Sequence, residues 1–174
     1  MLHEHDLAVS AVIATRENIK EFGTLITPVA DGEPYDETRD AHLCLAAPSS
    51  TRSIPASPTR FYVMTLGPRD SMRVCKITHH SKVTQVLAAA DGLPWFIALA
   101  KPGAPLISAA EVTVFKIMPP DALALHVSTW HAGPLFMSTE PRFFYNLEQS
   151  DTNVNDRHIR DLHHPHLVPL HVVV

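Results

Sequence analysis

Residues 77–92 read Ile77-Thr78-His79-His80-Ser81-Lys82-Val83-Thr84-Gln85-Val86-Leu87-Ala88-Ala89-Ala90-Asp91-Gly92. Two adjacent histidines precede, by five positions, a glutamine that opens an apolar run. The run ends at Asp91-Gly92, a residue pair favoured in hairpin turns. Side chains along a strand alternate between faces, so His79 and His80 point to opposite sides and only one of them can share a cavity with Gln85. Positions 80 and 85 differ by an odd number, so a bend or bulge has to intervene for both to face inward. Two surface histidines on a strand edge are the simpler alternative. The distant segment Thr129-Trp130-His131-Ala132-Gly133-Pro134-Leu135 argues against that alternative, because it offers a third imidazole in a similar setting.

Outward from this stretch the chain is short strands with turn punctuation. Arg60 to Leu66 ends at Gly67-Pro68, and Met72 to Thr78 leads into the histidines. Leu93 to Ala100 turns at Lys101-Pro102-Gly103, and Glu111 to Met118 alternates polar and apolar residues before Pro119-Pro120. Leu123 to Val127, Leu135 to Ser138 and Arg142 to Leu147 follow. Such β-branched and aromatic runs at roughly 8–12-residue spacing are the signature of a β-sandwich or barrel. One short helix is expected near the start, from a Thr15 N-cap to Phe22, with Gly23 as its stop and Ile19 and Phe22 as its apolar face. A strand over Thr24 to Val29 comes next. Residues 31–59, rich in acids, Ser and Pro, read as a long loop or lid. The expectation is one all-β domain over residues 1–174 with a small helical cap.

Composition narrows the function. At 174 residues the chain can bury a sizeable core as one domain. A net charge of −4 with scattered Lys and Arg gives no basic stripe for nucleic acid. Two cysteines, Cys44 and Cys75, do not make a disulfide framework, so a reducing, cytoplasmic setting is expected. No apolar run approaches the ~20 residues needed to span a bilayer, and the first ten residues do not read as a signal peptide. The fifteen prolines argue against a helical bundle.

A metal site wants imidazole and oxygen donors converging on one open position. His80, Gln85 and His131 supply N, O and N from separate strands, with His126 as a possible fourth. From His80 to Gln85 to Gly92 the spacing is H-x4-Q-x6-G, similar to the first half-motif of cupin barrels, with Gln in place of the usual Glu and Thr78 in place of an earlier His. His126 to His131 stands where the second half-motif would end, without the Pro and Gly that normally precede it.

The segments ITHHSKVTQ, TWHAGPLF and FYNLEQSDTN, together with ENIKEFGTLI and TRFYVM, resemble the ureidoglycolate lyase family of cupins over residues 15–156, in the wording of its plant and cyanobacterial branch. His80 and Gln85 match the His and Gln of a Glu-Arg-His-x4-Gln stretch in enterobacterial members; here His79 takes the Arg position and Thr78 the Glu position. Those members also read Trp-His-His, whereas Trp130-His131 is followed here by Ala132-Gly133. The resemblance implies a cupin-type β-barrel and a lyase that splits ureidoglycolate into glyoxylate and urea in allantoin breakdown.

 

The roles the resemblance suggests follow from that reaction. His80, Gln85 and His131 hold a divalent metal (Ni, Mn or Zn) or anchor the substrate, and His126, His79 and Glu148 are the candidate catalytic groups, His126 foremost as the base. Arg60 clamps the substrate carboxylate with its planar fork, and Asn146 completes the substrate contacts. Arg60 as a surface residue and His126 pointing out of the barrel are the plain alternatives. A homodimer is implied, and another small hydroxy or ureido acid, or a non-catalytic metabolite-binding role, stands beside the lyase reading. Beyond the resemblance, 157–174 is a tail with a histidine cluster (His163, His164, His166) and a β-prone end that favours docking over exposure.

Overall fold

The computed structural model describes residues 6–33, 59–103, 105, 108–162 and 168–173. The body of the expected 31–59 loop and the histidine cluster at 163–166 lie outside the described residues. In chain order the elements begin with β1 (Leu7–Ser10), β2 (Val12–Ile13), α1 (Arg16–Ile19), β3 (Gly23–Ile26) and β4 (Thr59–Leu66). Next come β5 (Arg73–Val74), β6 (Lys76–His79), β7 (Val86–Ala89), β8 (Trp95–Ala100), a 3-10 turn at Ala109–Glu111 and β9 (Thr113–Ile117). The last are β10 (Ala122–Leu125), β11 (Trp130–Leu135), β12 (Arg142–Gln149), α2 (Thr152–Asn155), β13 (His158–Asp161) and β14 (Leu170–Val173). The chain is mostly β, as expected. Among the described residues no helix is long and apolar enough to cross a membrane.

The strands form three open sheets, ordered β3-β10-β7-β12-β4, β13-β6-β11-β8-β9-β2 and β1-β14-β5. Among the described residues their ladders do not join into a closed ring. The six-stranded sheet lies in the middle, and β8 shows why. Its residues Trp95, Ile97 and Leu99 belong to one core with Leu87, Leu123, Phe136 and Phe144. Phe96, Ala98 and Ala100 belong to a second core with Val74, Leu170 and Val172. All six residues of β8 are buried, which accounts for the unbroken apolar run: a strand covered on both faces loses the polar alternation. The second core is closed by β14, paired in parallel with β1 and antiparallel with β5, so the β-prone end docks.

Helix α1 is shorter than expected. Thr15 caps it, accepting from the Asn18 amide at 3.2 Å while its own N–H donates to Asn18 Oδ1 at 2.8 Å, a reciprocal cap that satisfies two end groups. Gly23 is not a left-handed stop but the first residue of β3. A Cβ there would stand 2.3 Å from the Ala124 carbonyl oxygen, so glycine is needed for close strand approach.

The Asp91-Gly92 hairpin is corrected. β7 and β8 belong to different sheets, so the pair forms a corner that carries the chain between them, with Gly92 at φ +70° as the left-handed step glycine takes without strain. Arg142 holds the corner. Its Nε and Nη2 donate to the two Asp91 oxygens at 2.7 and 2.8 Å, and the remaining fork reaches the Pro94 and Leu93 carbonyls at 2.8 and 2.9 Å. The guanidinium lies 5.2 Å from the ring centres of both Phe136 and Phe144. The hydrogen bonds from Arg142 hold the Asp91 carboxyl below its usual range. Arg142→Met strands Asp91 and two carbonyls, so we expect a loss of about 3–5 kcal/mol, read as a lower urea midpoint at unchanged slope.

Candidate functional site

A cavity of about 410 Å³ is lined by His80, Gln85, His131 and Asn146. Strand alternation decides the histidine pair. Lys76, Thr78 and His80 line the cavity, while His79 faces the opposite side, edge-on to Trp130 at 4.3 Å and stacked on His158 at 4.6 Å. Burial, then the neighbouring His158, pushes the His79 imidazole below its ordinary pKa. His131 stands directly across from Thr78 in the β6–β11 ladder, which turns it into the same cavity.

The bend required between His80 and Gln85 is a passage from one sheet to the other, fixed by Asp156. The Asp156 carboxylate accepts from Ser81 N–H at 2.9 Å, Ser81 Oγ at 2.6 Å and Lys82 N–H at 2.7 Å. Burial acts to raise the Asp156 pKa, but the hydrogen bonds from Ser81 and Lys82 outweigh it and hold the carboxyl low. The Asp156 backbone carbonyl lies 2.7 Å from His80 Nδ1, and the Thr129 carbonyl 3.0 Å from His131 Nδ1. A carbonyl only accepts, so each Nδ1 carries the proton and each Nε2 keeps its lone pair. The two rings are 5.1 Å apart between centres. Burial pushes the His131 pKa down to about 4, so this ring is neutral near pH 7.

Glu148 is 3% exposed and organises the polar wall. Gln85 Nε2 donates to it at 2.9 Å, the Tyr62 hydroxyl at 2.9 Å and Asn153 Nδ2 at 3.2 Å. Asn146 Nδ2 in turn donates to the Tyr62 oxygen at 2.9 Å. Burial first, and then the bond to Glu148, raise the Tyr62 pKa, keeping the phenol protonated as that donor. The chain leaves Gln85 Oε1 buried without a partner.

Of the residues singled out from sequence, the structure brings together His80, Gln85, His131 and Asn146, with Glu148 behind Gln85. His79, Arg60 and His126 do not line the 410 Å³ cavity. Arg60 is exposed and lies over the Tyr62 ring at 4.3 Å. His126 is exposed and lines, with His80, Gln85 and His131, a separate narrow void rather than the 410 Å³ cavity. The cations that do line the cavity are Lys76 and Arg157. Lys76 shares strand parity with His80 and was findable on that ground; Arg157 and Asp156 carry no sequence signal.

Among the described residues no three His, Cys, Asp or Glu side chains group as a metal site. The donor set here is two imidazole nitrogens and one carboxamide oxygen, and the orphaned Gln85 Oε1 fits a cation or a hydrogen-bond donor. No protein-family model matches the chain, and the comparison with curated proteins finds no match.

The His131 shift sets a pH dependence. Its folded pKa of about 4 lies below the unfolded value near 6.5, so the stabilisation is full above pH 6.5 and is lost as pH falls toward 4. We expect His131→Gln to flatten the urea-unfolding stability profile across that window by on the order of 3 kcal/mol.

Proposed function

We propose that the chain is a cupin-like C–N lyase acting on ureidoglycolate or a closely similar ureido acid. The observation that carries this reading is that His80 and His131, each with its Nδ1 engaged by a carbonyl, and Gln85, with an unpartnered Oε1, line one cavity together with Lys76 and Arg157. The jelly-roll reading is supported by the path of the chain from β6 to β13, which passes repeatedly between the two larger sheets.

In the reaction the substrate hydroxyl loses its proton, the carbon–oxygen double bond forms, and the carbon–nitrogen bond breaks with its electron pair going to urea nitrogen, which takes up a proton. Lys76 and Arg157 hold the carboxylate in the role expected of Arg60. With His126 outside the cavity, His80 Nε2 takes the hydroxyl proton and returns it to the departing nitrogen. A divalent ion would be held by His80, Gln85 and His131, and would lower the pKa of a coordinated alcohol. The ring nitrogens serve either as ligands or as proton acceptors, and chelation separates the two.

The test is glyoxylate release from ureidoglycolate by chelator-stripped protein, with and without Mn²⁺, Ni²⁺ or Zn²⁺. We expect turnover above the spontaneous rate, lost by at least about 100-fold in His80→Ala; folded protein with no turnover under any condition defeats the reading.

A homodimer is part of the same proposal. Phe61 stacks on Tyr145 at 5.7 Å, and Phe61, Val63, Phe143 and Tyr145 are exposed on the outer face of the five-stranded sheet. Apolar exposure of this kind supports an interface. Light scattering is expected to show a dimer that Phe61→Asp converts to a 19.2 kDa monomer.

A further inference from the structure

Asn146 Oδ1 is buried and has no hydrogen-bond partner, on a residue 2% exposed that lines the cavity. Its direction is dictated from Glu148. A carboxylate only accepts, so Tyr62 must spend its single proton on Glu148, at 2.9 Å. The Tyr62 oxygen is then left to accept, and Asn146 turns its Nδ2 toward it, also at 2.9 Å. Gln85 is turned in the same sense, its Nε2 donating to Glu148 at 2.9 Å. Gln85 thus gives its N–H to Glu148 directly and Asn146 gives its N–H to the Tyr62 oxygen, and both carbonyl oxygens are left unpaired.

We infer that Glu148 is a positioning residue that sets the hydrogen-bond polarity of the cavity, and that Asn146 Oδ1 accepts an N–H from the ligand, selecting small carboxylates that carry a ureido or carboxamide group. The inference deepens the proposed substrate class and requires no bond to be broken. A site built around a buried acceptor rejects an isostere lacking the donor, because the acceptor is then left unpaired. Lys76 and Arg157 act on the carboxylate end and do not contribute to this choice.

The experiment is calorimetric titration of the full chain with ureidoacetate and with acetoxyacetate, which has a methyl and an oxygen in place of the two N–H-bearing nitrogens. Neither carries the hydroxyl needed for cleavage. We expect ureidoacetate to bind at least about tenfold tighter. Asn146→Leu brings the two within about twofold while acetoxyacetate binding persists, and Glu148→Gln narrows the ratio. If Asn146→Leu does not fold, Tyr62→Phe supplies the second test, since losing the hydroxyl frees the Asn146 amide and lowers the ratio. Lys76→Ala weakens both ligands in parallel. Equal affinities in the unaltered protein, no binding of either ligand, or an undiminished preference in the folded variants overturns the inference. Preference without glyoxylate release from ureidoglycolate defeats the lyase reading alone, and release without preference defeats this inference alone.

Discussion

The fold depends on one strand being covered on both faces. β8 cannot sit at a surface, because either set of alternating side chains would then be wet, so the chain has to supply a sheet on each side of it. The five-stranded sheet covers Trp95, Ile97 and Leu99, and the small sheet of β1, β14 and β5 covers the other three. With the layers set in this way, the chain must cross between sheets on either side of β7, and both crossings carry dense polar anchoring.

Both crossings are held by buried or half-buried carboxylates used as acceptors. Asp91 receives the Arg142 fork at one, and Asp156 receives Ser81 and Lys82 at the other. Glu148 does the same work within the cavity wall. Each carboxylate is satisfied by several donors, which is the condition for burying one without a heavy penalty. The cavity thereby acquires its character indirectly: its free groups are nitrogens and oxygens left over after charged neighbours have claimed the donors.

Much of the site was legible because alternation is a strict local rule. The parity argument separated His79 from His80, and the odd spacing to Gln85 required a bend that the sheet crossing supplies. The placement of Arg60 and His126 away from the larger cavity was not legible for a different reason: each lies at the end of a strand, where parity no longer fixes exposure. Asp91-Gly92 has the chemistry of a tight turn whether it joins neighbours in one sheet or strands in two, so only tertiary pairing tells them apart. The role of Asp156 depends on contacts with residues more than seventy positions away, which no local pattern records.

The pairing of β1 with β14 has a bearing on how the molecule is made. Leu7 lies beside Leu170, so during synthesis the first strand leaves the ribosome long before its neighbour exists. Until β14 emerges, Phe96, Ala98 and Ala100 have only part of their cover, and an apolar sheet face stays open to other chains. Contacts this distant in sequence form slowly, and partly covered sheets are the species most prone to associate wrongly. Docking of β14 thus completes the cover of this core, and the nascent chain is most exposed to chaperones just before that strand arrives.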